Sequence, residues 1–141
     1  MDFSEIAKDE YQIFLQFSYP EIRDLLMHFL TLISGTLVFS VTFSEKVIDY
    51  HAAKSTQRRI VFLSWVLLVV ALGACGIGLY LNFIAAEEAI AAISGSGGQS
   101  FSGLLSNSYF FQDAAGLLFG MGLFALVVSV IFKKQSQEKV S

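Results

Sequence analysis

Three strongly apolar stretches of this chain carry no Asp, Glu, Lys or Arg: residues 25–44, 60–86 and 114–132. Each meets or nears the roughly 20 residues with which a helix crosses a hydrocarbon layer of about 30 Å. A small soluble helical bundle would instead need polar faces recurring at the helical period, and on these segments they are mostly missing. The whole chain, at 141 residues, has room for one domain. Its 55% hydrophobic and 15% charged residues depart from the soluble averages of roughly 45–50% and about 25%. The sequence therefore predicts an all-α membrane protein. Three transmembrane helices are expected at about 22–43, 60–83 and 113–132, with a cytoplasmic hairpin at 44–59 and an outer loop at 84–112. An N-terminal amphipathic interfacial helix over 1–19 precedes the three-span domain of 20–141.

Loop charges set the expected orientation. The segment between spans one and two carries Lys46, Lys54, Arg58 and Arg59, and the tail after span three carries Lys133, Lys134 and Lys139. The connection between spans two and three has Glu87, Glu88 and Asp113 but no Lys or Arg. Because Lys and Arg are retained on the cytoplasmic side, the N-terminus is expected outside and the C-terminus inside. No small-residue cleavage site follows the first apolar run, so span one is expected to be retained. With no organelle signal in view, the expected location is a cell (inner) membrane. The net charge of −3 and the absence of a basic stripe with interleaved aromatics give no reason to expect nucleic acid as a partner.

Asp2 and Glu5 resemble a capping box, and Phe3, Ile6, Phe14 and Phe17 recur near helical spacing. Pro20 is expected to stop this helix and to start span one. Span two, from Ile60 to Phe83, places Trp65 near the inner interface and Tyr80 and Phe83 near the outer one. Its middle offers helix-packing candidates in the small-xxx-small pairs Ala71–Cys75 and Ala74–Gly78. SGSGGQSFSG at 94–103 reads as a flexible connection. Asp113 is the expected N-cap of span three, in which Gly116 and Gly120 form a GxxxG pair. Cys75, the single cysteine, has no partner for an intrachain disulfide, and the spacings of metal sites are absent.

Span one raises the functional question. At about 100° per residue, His28, Thr31, Gly35, Val38, Thr42, Glu45 and Asp49 fall within one sector, whereas Ser40 and Ser44 lie on another face. Such a stripe suits two roles. It can be a dry contact between helices, where small and hydroxyl residues permit close approach. It can also line a pore among several copies of span one, with Glu45 and Asp49 as acidic rings favouring cations. His28 is the one acidic or basic side chain well inside a span, yet it lies only about two turns from the outer end.

No HExxH, nucleophile elbow or phosphate loop occurs, and His28 and His51 fall on opposite sides in this topology, so no enzyme, cofactor or metal is expected. Three spans without a broken helix also offer little from which to build an alternating-access transporter. The expected function is that of a homo-oligomer in the lipid bilayer, an ion channel or permeabilising pore lined by span one. The alternative is a non-conducting anchor or regulatory subunit bound to a membrane-protein partner.

Overall fold

The computed structural model describes residues 3–48, 53–95 and 100–138. All regular structure among them is helical: α1 (Phe3–Ile13), a π-helical turn (Phe14–Ser18), α2 (Tyr19–Phe43), a second π-helical turn (Ser44–Ile48), α3 (Ser55–Ile93) and α4 (Phe101–Glu138). Three helical runs are long and apolar enough to cross a membrane: Lys8–Lys46, Ser55–Ile93 and Phe101–Phe132.

Two expected breaks are not breaks. Pro20 leaves the helix running, because the π turn just before it takes up the strain. A proline inside a helix removes one N–H and crowds the carbonyl four residues earlier, and widening the preceding turn relieves that crowding. Tyr19 N–H here reaches back to the carbonyl of Phe14. The wider turn also shifts the phase of the apolar face. Phe14 is buried while Phe17, expected beside it, is 62% exposed. Asp113 likewise lies in mid-helix and exposed, since α4 already starts at Phe101. The segment LLSNSYFFQ ahead of it contains neither proline nor glycine, so nothing there interrupts the hydrogen-bond ladder. The chain turns instead after α3. Gly95 has φ of +84°, the left-handed conformation that ends many helices, and its N–H bonds to the carbonyl of Ala92 at 3.1 Å.

The helices contribute to two compact units. The first comprises residues 1–30 and 74–113. In it Phe101, at the start of α4, sits edge-on to Tyr11 (5.0 Å between ring centres) and to Phe14 (4.9 Å). Ser108 Oγ donates to the carbonyl of Gly78 at 3.0 Å, and Cys75 Sγ donates to the carbonyl of Leu26 at 3.4 Å. The second unit comprises residues 31–73 and 114–141. In it Ser64 Oγ donates to the carbonyl of Gly122 at 2.7 Å, and Gln57 Nε2 donates to that of Ser129 at 3.1 Å.

Burial along α3 and α4 follows a seven-residue period. Val61, Ser64, Leu68, Ala71, Cys75, Gly78, Asn82, Ala85 and Ala89 are all buried, alternating steps of three and four. On α4 the buried residues Phe101, Ser108, Ala115, Gly122 and Ser129 repeat at every seventh residue, with Phe119 buried besides. This 3.5-residue period is that of helices meshed along a narrow seam. Small side chains on the seam let the backbones approach until a serine hydroxyl reaches the facing carbonyl. Interhelical bonds of this kind contribute about 0.6 kcal/mol on average in membrane proteins. Ser64→Ala and Ser108→Ala are each expected to lower stability by about that amount in a detergent unfolding titration, and the two losses should add because the sites lie far apart along the helices.

Candidate functional site

Span one presents two faces. Toward the interior it turns Ile22, Leu26, Ile33, Ser40 and Ser44, all buried. Ser40 and Ser44 satisfy their hydroxyls locally, bonding the carbonyls of Leu37 (2.8 Å) and Val41 (2.9 Å). The opposite face carries His28, Thr31, Gly35, Val38, Thr42 and Glu45, and all six are exposed. A Cβ added at Gly35 would meet nothing within 4 Å. Asp49, the seventh member of the predicted stripe, lies outside the described residues. The π turn at Ser44–Ile48 also changes the angular advance per residue, so a constant 100° step does not carry past Phe43.

The stripe advances in steps of three and four residues from His28 to Glu45. That is the spacing by which α3 buries its own seam. Its polar groups are partly satisfied within the helix: His28 Nδ1 bonds to the carbonyl of Asp24 at 2.6 Å, and Thr42 Oγ1 donates to that of Val38 at 3.1 Å. At its N-terminal end Arg23 and Asp24 form an exposed ion pair at 3.2 Å, a contact of small energetic weight.

The packing candidates separate into two groups. Ala71, Ala74, Cys75 and Gly78 are buried. A Cβ at Gly78 would touch the Ser108 carbonyl oxygen at 3.5 Å and Phe111 Cβ at 3.6 Å. Gly116 and Gly120 stand elsewhere: a Cβ on either would meet nothing within 4 Å, and Gly120 is exposed. The close approach on α4 is made by Gly122, whose Cβ would come within 3.0 Å of Leu68 Cδ2 and 3.1 Å of Leu68 Cγ. Gly122, close to the GxxxG pair in sequence, thus makes the contact expected of that pair, and Ser64 and Ser108 are the residues that the sequence reading passed over. The seven-residue recurrence of Ser108, Ala115, Gly122 and Ser129 is the signal that marks the α4 side of these contacts. Asn82 adds a buried amide to the α3 seam, with 1% of its surface exposed.

Three long apolar helices with meshed small-residue seams are the architecture of a small multi-pass membrane protein. No family model, curated protein or solved structure matches the chain.

Proposed function

We propose that the protein acts as a homo-oligomer in a cell (inner) membrane, with its N-terminus outside and its C-terminus cytoplasmic. Copies of span one surround an axis, and His28, Thr31, Gly35, Val38, Thr42 and Glu45 line a narrow cation pore. One observation carries this reading: the stripe turns away from the chain's own helices while keeping the three–four spacing of a helix contact. A polar seam at contact spacing is poorly matched to lipid tails and well matched to further copies of itself. Glu45 then stands as an acidic ring at the inner mouth, where fixed carboxylates favour cations.

A second reading is supported by the local bonds of His28 and Thr42. With those groups satisfied inside the helix, the same face can pack dry, as expected of a non-conducting anchor or regulatory subunit. Conductance separates the two. Purified protein in planar bilayers is expected to give discrete cation-preferring steps, and Glu45→Gln is expected to lower the cation preference by about twofold or more. An intact oligomer that gives no steps at all supports the non-conducting subunit.

A further inference from the structure

We infer that the first two turns of α3 bind the phosphate of an anionic phospholipid headgroup. The inference rests on the membrane placement of α3 and is independent of any pore. Ser55, Arg58, Arg59 and Phe62 line an open cavity of about 330 Å³. Their spacing puts them on one side of the helix. The volume lies at the small end of ligand cavities, a size suited to a phosphate with its immediate substituents.

The cationic groups are arranged for an anion. Arg58 Nε donates to the carbonyl of Ala53 at 3.0 Å, and Ala53 is buried in a cluster with Val61 against which Trp65 packs. That bond fixes the guanidinium stem and leaves its two terminal nitrogens as donors. Among the described residues neither Arg58 nor Arg59 pairs with a carboxylate. Guanidinium forks match phosphate oxygens in a bidentate manner, and the Ser55 hydroxyl is a further donor on the same face. A free phosphate would use these donors alone. A lipid also uses Phe62, 59% exposed, and the exposed Leu63 and Val66 beyond it, which suit acyl chains. The juxtaposition of a polar cationic cavity with an apolar helix surface one turn further on favours the lipid.

Trp65 is the only tryptophan in the chain and sits one turn beyond Phe62, so it reports on this place directly. The test reconstitutes the full chain in phosphatidylcholine vesicles containing a minor fraction of either brominated phosphatidylglycerol or brominated phosphatidylcholine. Quenching of Trp65 by the brominated phosphatidylglycerol is expected to show about fivefold higher apparent affinity, the factor given by about 1 kcal/mol from one basic residue. Arg58→Gln/Arg59→Gln should equalise the two lipids, whereas Arg58→Lys/Arg59→Lys should keep most of the preference. Arg59→Gln alone, a change that breaks no described hydrogen bond, should lower the preference and guards against misfolding of the double variant. Equal quenching in the native chain, or an undiminished preference in the glutamine variants, overturns the inference. Loss of the preference in millimolar inorganic phosphate would reassign the cavity to a soluble phosphate. Failure of the native chain to enter vesicles would strike the membrane placement instead.

Discussion

Phe101→Ala is expected to detach the N-terminal helix, with a loss of about 3–5 kcal/mol, the usual range for removing a buried phenylalanine. Phe101 is 8% exposed and makes edge contacts with both Tyr11 and Phe14. Each such aromatic pair adds about 0.5–1.5 kcal/mol beyond the area it buries. These rings bring the end of α1 and the π turn against the start of α4. Without Phe101, the segment before Tyr19 keeps its helical propensity but loses its main described partner. Amide hydrogen exchange between Lys8 and Ser18 should quicken by more than about a hundredfold, as follows from a loss of 3 kcal/mol. Phe110→Ala, at a ring 67% exposed, should leave that exchange unchanged. Equal protection in the two variants would show that the aromatic cluster does not hold the N-terminal helix.

Gly122→Leu is expected to destabilise the protein by about 2–3 kcal/mol through overpacking. The first atom of the new side chain would already stand 3.1 Å from Leu68 Cγ and 3.4 Å from the Ser64 carbonyl oxygen. Room has to come from the fully buried Leu68 side chain or from parting α3 and α4 at this point, and the second also weakens the bond from Ser64 to the Gly122 carbonyl. Gly120→Leu, only two residues away, should change the stability of the single chain by less than about 0.5 kcal/mol, because nothing lies within 4 Å of its Cβ position. The pair is read by steric-trap or denaturant unfolding in micelles. A Gly120→Leu variant that is stable as a monomer but altered in oligomeric state would place the GxxxG face at a contact between chains.

The contrast between Gly120 and Gly122 marks how far the sequence is legible. The three spans are plain because charge is excluded from long windows, a property of composition that survives any detail of packing. Direction is harder. A GxxxG pair reports that a helix has a small face, not that the face meets its own neighbours, and Gly116 and Gly120 look outward. Most of the buried set of α4 is written in a seven-residue spacing that mixes Phe, Ser, Ala and Gly, so a search for glycine pairs misses it. Pro20 and Asp113 were misleading for a related reason. Each is a boundary residue by local chemistry, but a π turn accommodates the first, and a continuous run of helix-tolerant residues carries past the second. That Ser40 and Ser44 lie on a different face from the His28–Thr42 stripe did follow from the 100° rule, up to the π turn at Ser44; which of the two faces is buried did not.

If the outward face of span one meets water inside an assembly, a water-soluble thiol reagent should reach it in membranes. Cys75 is buried, with its Sγ bonded to the Leu26 carbonyl, so Cys75→Ala gives a quiet background. Single cysteines are then placed at Thr31, Gly35, Val38 and Thr42, with Ser40 as the inward control and Ser96 and Ser136 as controls outside the three apolar windows. Modification of the four stripe positions by a charged, membrane-impermeant thiol reagent, with Ser40 protected, is the predicted result. Protection of all four, with Ser96 and Ser136 labelled normally, would contradict a water-lined stripe and leave a dry helix contact in its place.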